Sequence, residues 1–325
     1  MDGIENKIFN SRHDHEFTSL ALEIFRFQAT RNPVYRQFLS HLNTNVSQVS
    51  ALSEIPCMPV DMFKTHEVKT GVFTPEITFI SSGTAGSERS AHHVKSTDLY
   101  RKSLTKGFEL FYGDPSRYAV FALLPSYLER ENASLVYMAK TLMEFNPDNC
   151  GGFYLEHNDK LNKAIEEAEA KDYQPLLLGV SFALLEMATH TNIDLTNTII
   201  IETGGMKGMR KEMIRDELHD RLNHTLQPRA IDSEYGMTEV LSQAYKKGTG
   251  NFLTPPWLKI CIRDMQDPYK YIPEGQQGLV NVIDLANLYS CAFLQTSDVG
   301  KITPDGFTIS GRMDFSDIRG CNLMV

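Results

Sequence analysis

Apolar positions recur at helical spacing over residues 17–42, where Leu20, Ile24, Phe25, Phe38 and Leu39 predict a helix facing a core. Pro33 forfeits an amide donor, so two helical pieces are expected there. Prolines favour extended backbone over residues 55–60. Residues 63–68 lead into a short β-prone run at 77–80. Hydroxyls and small residues follow at 81–87, then a helix-prone segment at 96–110. Residues 118–124, 176–180 and 198–201 are continuous apolar runs of strand length. Helix-prone segments at 135–145, 160–171, 182–189 and 211–222 separate and follow them. Strands alternating with helices predict an α/β fold, parallel-rich and flanked by helices. After about Asn251 the pattern changes. Short strand-like runs at 257–263, 278–284, 292–296 and 306–309 are punctuated by Pro, Gly and Asp. The expectation is an α/β core over 1–250 and a β-rich subdomain, barrel-like or meandering, with a tail over 251–325.

The length of 325 residues is enough for two or three packed units. Hydrophobic content of 42% and charged content of 22% fit a soluble globular enzyme. A net charge of −9 argues against a general nucleic-acid binder and leaves anionic ligands to local donors. No apolar run is long enough to span a membrane, and the acidic, polar start is unlike a signal peptide. Five scattered cysteines without a C-x-x-C pair suggest neither zinc nor a disulfide framework, so a reducing cytoplasm is the simplest inference.

The stretch Ser81-Ser82-Gly83-Thr84-Ala85-Gly86-Ser87 between a strand and a helix is how a backbone builds an anion site. It lacks the lysine of a Walker A loop and the spacing of a dinucleotide fingerprint; a plain Ser/Gly surface loop is the alternative. Gly204 and Gly205 close a strand and would let a flat ligand lie on the backbone. Tyr235 is suited to stack on a base, Thr238 to donate to a phosphate, and Glu239 to ligate Mg²⁺. Asp298 is suited to accept from ribose hydroxyls, and Arg312 to donate to them or to a phosphate. His92 and His93 follow the hydroxyl-rich loop, either touching a substrate carboxylate or phosphates or forming a solvated edge. Gly179-Val180-Ser181-Phe182-Ala183 is similar to a nucleophile elbow, which would need one of His190, His219 or His224 as its base.

Taken in order, Ser81-Ser82-Gly83-Thr84-Ala85-Gly86, Gly204-Gly205, Tyr235-Gly236-Met237-Thr238-Glu239, Ser297-Asp298-Val299-Gly300 and Gly311-Arg312-Met313-Asp314 resemble the acyl-adenylate-forming superfamily. The resemblance covers roughly residues 79–314. Ile55-Pro56-Cys57-Met58-Pro59-Val60, Phe63-Lys64-Thr65-His66, Leu123-Leu124-Pro125-Ser126-Tyr127-Leu128-Glu129-Arg130 and Arg319-Gly320-Cys321 look closest to LuxE-type acyl-protein synthetases, with phenylacetate-CoA ligases as relatives. That resemblance implies ATP-dependent activation of a fatty acid as acyl-AMP, then transfer to a cysteine near the C-terminus. It implies that Ser81, Ser82, Gly83 and Thr84 hold the ATP phosphates and that Gly204, Gly205 and Tyr235 hold adenine. Thr238 then meets the α-phosphate, Glu239 binds Mg²⁺, and Asp298 and Arg312 hold the ribose. Ser181 lines the acyl pocket and His92 meets the substrate. Acyl-carrier protein, an acyl reductase and CoA stand as acceptors. The superfamily usually continues into a mobile domain carrying a lysine; the sequence stops at Val325, so that domain and lysine are expected to be absent. Cys321, preceded by a glycine in the tail, is the expected acyl acceptor. A non-catalytic nucleotide-binding homologue and a serine hydrolase are the other readings.

Overall fold

The computed structural model describes residues 2–11, 13–82, 88–125, 132–189, 194–204 and 215–313. The chain opens with α1 (Asp2–Ile8), α2 (Asp14–Arg31) and α3 (Pro33–His41), then β1 (Met58–Pro59) and α4 (Met62–Thr65). A hairpin of β2 (Ile77–Ile80) and β3 (Ala91–Val94) precedes α5 (Thr97–Tyr112). Alternation follows: β4 (Tyr118–Leu123), α6 (Ser134–Met143), β5 (Gly151–Tyr154), α7 (Asp159–Glu169), β6 (Gln174–Val180), α8 (Ser181–Met187), β7 (Ile199–Thr203), α9 (Arg215–Leu226) and β8 (Ala230–Tyr235). The remainder is β9 (Ala244–Lys246), β10 (Phe252–Leu253), β11 (Leu258–Arg263), β12 (Gly278–Asp284), β13 (Phe293–Thr303) and β14 (Gly306–Arg312).

These strands, all but β2 and β3, form one sheet in the order β11-β12-β13-β14-β10-β9-β8-β7-β6-β4-β5, with β1 added parallel to β13. Strands β5, β4, β6, β7 and β8 pair in parallel. Nearly every residue of β4 and β6 is buried, as expected of parallel strands packed against helices. From β9 onward neighbours along this path are antiparallel. The β-rich part thus continues the same sheet, whose pairing direction changes between β8 and β9.

The predicted break at Pro33 is present. Asn32 leaves helical geometry at φ −100°, ψ 109° and accepts from Tyr35 N, capping α3 with Pro33 in its first turn. Buried polar side chains on this helical pair hold a distant loop. Gln28 Nε2 donates to Asn287 O and Leu288 O, its Oε1 accepts from Ala292 N, and Asn32 Nδ2 donates to Ser290 O. Phe25, Tyr35 and Phe293 pack around the same junction.

One expectation is corrected. The hydroxyl-rich stretch does not run directly from strand to helix. β3 pairs antiparallel with β2, so residues 81–90 join a hairpin. Ser81 N donates to Ser90 O, and Ser81 Oγ accepts from Ser90 N at 2.9 Å, which closes the loop at its base. The helix expected over 211–222 is described from Arg215 to Leu226.

Candidate active site

Strand register sets the floor of the site. Val180 pairs with Thr203, and Thr203 with Glu234, so β6, β7 and β8 end level. Ser181, Gly204 and Tyr235 stand side by side at the carboxyl edge of the parallel strands, where open α/β sheets bind ligands. Gly204 has φ +73°, a conformation that favours glycine. Ser181 is buried, and its hydroxyl donates to Glu202 Oε1 at 2.7 Å and Gly204 O at 2.9 Å. Glu202 also meets Arg215 Nε at 3.2 Å, with His219 Nε2 at 3.9 Å. Burial pushes the Glu202 carboxyl up, but nearby His219, the Arg215 charge and Ser181 outweigh it and hold it below the ordinary range. His219 also bonds Ser233 Oγ at 3.1 Å. A nucleophilic serine needs an imidazole to take its proton. The Ser181 proton faces a carboxylate instead, and no described histidine bonds its hydroxyl. The geometry therefore opposes the hydrolase reading.

Asp298 on β13 lies opposite Arg312 on β14. Arg312 Nε donates to Asp298 Oδ1 at 2.9 Å, and Tyr235 Oη donates to Asp298 Oδ2 at 2.8 Å. Burial and the Asp298 charge push the Tyr235 phenol well up, so it remains a donor. The Tyr235 ring packs edge-on against Phe252 and Phe307. Beneath it, Glu234 is buried and accepts from Thr203 Oγ1; burial raises its carboxyl to about 7. A Cβ at position 236 would lie inside contact distance of Glu234 Oε1, so Glu234 would have to shift to admit one.

The turn after Gly236 is held from several sides. His92 Nδ1–H donates to Thr238 O at 2.8 Å, and Asn287 Nδ2 donates to Glu239 O at 2.7 Å. Leu241 N and Ser242 Oγ donate to the two oxygens of Asp284 at 2.8 and 2.6 Å. His92 is 1% exposed and burial pushes its imidazole down to about 4, so the ring is neutral with its proton on Nδ1. It belongs to a buried strand position, not a solvated edge. His93 Nδ1 bonds Thr78 Oγ1 across the hairpin. The Glu239 side chain is buried and makes no hydrogen bond or close ion pair among the described residues, although its charge reaches Arg312. A hard oxygen ligand of this kind suits a Mg²⁺ that also keeps waters and phosphate oxygens.

Ser81 and Ser82 lie at the base of the hairpin loop, half-buried. Gly83, Thr84, Gly205 and Cys321 lie outside the described residues. Asp284 and Asn287 were not anticipated from the sequence. Their signal was available: with Asn281 and Ser290 they are the polar positions of a mostly apolar stretch, 279–294, and both are fully buried.

No family model matches the chain. The fold is similar to that of a 2-hydroxyisobutyryl-CoA ligase solved open with 2-HIB-AMP and CoA, at TM-score 0.69 and 12% identity over 93% of this chain and 71% of that one. It is also similar to ATP-bound MatB from Rhodopseudomonas palustris, at TM-score 0.53 and 16% identity over 76% of this chain and 49% of that one. The fold is that of the adenylate-forming ligases. Across 334 aligned positions, 94% of this chain and 86% of the relative, the sequence is 24% identical to a long-chain-fatty-acid–luciferin-component ligase of Aliivibrio fischeri. No helix among the described residues is long and apolar enough to cross a membrane.

Proposed function

We propose that the protein activates a carboxylic acid with ATP and passes the acyl group to a thiol. The observation that carries this reading is the meeting of Tyr235, Asp298 and Arg312 beside the turn that bears Thr238 and Glu239. Long-chain fatty acid as substrate class comes from the name of the Aliivibrio fischeri ligase. The acid's carboxylate oxygen attacks the α-phosphorus, the bond to the β-phosphate bridging oxygen breaks, and pyrophosphate leaves. A thiolate then attacks the acyl carbon and AMP leaves. Donors of the hairpin loop, Ser81 and Ser82 with Gly83 and Thr84, cradle the polyphosphate. Thr238 donates to the α-phosphate. Gly204, Gly205 and Tyr235 form the adenine face, while Asp298 and Arg312 take the ribose. Glu239 would hold Mg²⁺, which supplies charge neutralisation for the phosphates. Cys321 is the proposed acceptor within the chain, with CoA, a carrier protein or an acyl reductase beyond it.

The test is pyrophosphate release from ATP with a panel of carboxylic acids, long-chain fatty acids included. Release that depends on both acid and Mg²⁺ is expected. Tight ATP binding without release by any acid would instead support a non-catalytic nucleotide-binding protein.

A further inference from the structure

The two parts of the proposed phosphate site come from distant chain segments. The hydroxyl-rich loop joins β2 to β3, a separate two-stranded sheet. Thr238 and Glu239 follow β8 of the main sheet. A buried side-chain bond ties one to the other: His92, on β3, reaches the Thr238 carbonyl at 2.8 Å, 146 residues away in sequence. The ring is fixed edge-on against Phe63 at 5.6 Å between centroids. The next carbonyl, that of Glu239, is taken by Asn287. Asn287 belongs to the loop that Gln28 and Asn32 hold from the other side. Two consecutive carbonyls are thus fixed by two buried donors from different elements, while the Thr238 and Glu239 side chains carry no bond among the described residues.

We propose that His92 and Asn287 are positioning residues that hold the backbone bearing the Thr238 hydroxyl and the Glu239 carboxylate fixed against the β2–β3 hairpin. His92 does this without touching substrate, because its donor faces backbone. The inference rests on the proposed nucleotide chemistry and assigns the part of it that aligns phosphate and metal. A shift of about 1 Å in such a group can cost on the order of 100-fold in rate.

The chemistry of the two donors gives the test. An asparagine amide overlays the imidazole Nδ1 position, whereas a glutamine amide overlays Nε2. His92→Asn should therefore keep the bond to Thr238 O, and His92→Gln should leave that carbonyl unpaired. The measurement is ATP affinity with and without Mg²⁺, the Mg²⁺ midpoint, and kcat for pyrophosphate release, each beside a melting curve. For His92→Gln the Mg²⁺ midpoint should rise about tenfold and kcat fall roughly 10- to 100-fold, with Mg²⁺-free ATP affinity within about threefold. His92→Asn should return both within about threefold of wild type. Asn287→Ala tests the same claim from the Glu239 side and should also raise the Mg²⁺ midpoint, so a failure of His92→Gln to fold leaves the proposal exposed. An unchanged midpoint in folded His92→Gln or in Asn287→Ala overturns it. Equal losses in His92→Asn and His92→Gln also overturn it, since bulk packing would then explain both. A wild-type chain that binds Mg²⁺-ATP but releases no pyrophosphate sinks acyl activation alone, because the midpoints still read positioning. Absence of Mg²⁺-ATP binding removes both.

Discussion

Asp298 shows how a single carboxylate joins three strands. Its two oxygens hold Tyr235 from β8 and Arg312 from β14 while its backbone runs in β13. Replacing it leaves a buried phenol without its acceptor and a guanidinium without its pair. Asp298→Ala is expected to lower ATP affinity by about 1.5–3 kcal/mol, the worth of a charge-assisted bond, measured by calorimetric titration; unchanged affinity would remove it from the site. Glu234 makes a different statement, about pH. Its folded carboxyl is raised to about 7 by burial, above the ordinary 4.5. The unfolded chain therefore holds fewer protons between those values, and wild-type stability falls as pH rises from 4.5 to 7. Glu234→Gln has no such loss. The stability of this variant relative to wild type should grow by about 3 kcal/mol between pH 4 and 8, read from urea unfolding at several pH values. A difference independent of pH would show that Glu234 is ionised throughout. Residue types at both positions were readable as candidates for chemistry, but Glu234 was not singled out. A carboxylate raised by burial is a property of its surroundings, and sequence carries no burial for a polar residue inside a run of polar ones.

Among elements, the long apolar runs were the legible ones. Strands β4, β6 and β7 bury almost every residue, so continuous hydrophobicity marked them. The pair of helices around Pro33 was equally clear, because proline and Asn32 leave one arrangement for the break. The hairpin strand β3 was missed. It reads Ala91-His92-His93-Val94, with His92 and Val94 buried and their neighbours half-buried. A histidine counted as polar erases the two-residue period, although this one is neutral in the core. The polar stitching between helix and loop was likewise invisible, since it joins residues far apart. Gln28 alone satisfies two carbonyls and one amide of the 287–292 loop. Gln28→Leu keeps most of the volume and strands those three groups away from water. A loss of about 2–5 kcal/mol in unfolding free energy is expected by denaturant titration, given roughly 1–3 kcal/mol per unsatisfied buried group with partial relaxation. A loss under about 1 kcal/mol would mean that the loop is held by packing.

On the scale of the whole molecule, the order of motifs along the chain gave the adenylate-forming reading, and the sheet explains why sequence order is enough. Gly204 and Tyr235 follow or end adjacent parallel strands, and Asp298, within β13, pairs opposite Arg312 and bonds Tyr235. Thiol chemistry has a narrower field of candidates than five cysteines suggest. Cys57 and Cys291 are buried with thiols pushed up, Cys57 to about 12, and burial raises half-buried Cys261 to about 11. Cys150 precedes β5, at the opposite end of the parallel strands from the site. Incubation with ATP, Mg²⁺ and a labelled fatty acid should therefore give a hydroxylamine-labile adduct that mass spectrometry maps to Cys321. Full labelling of Cys321→Ser would send the acyl group straight to an external acceptor. The contact of Gln28 with Asn287 spans 259 positions. A ribosome adding about 5–20 residues per second needs roughly 10–50 s to supply the second partner after the first. Through that interval Phe25 has Tyr35 beside it but not Phe293, and Gln28 has none of its three loop partners. The polar groups of this helical pair thus stay within reach of holding chaperones until translation is nearly done, when residues 287–293 close over them.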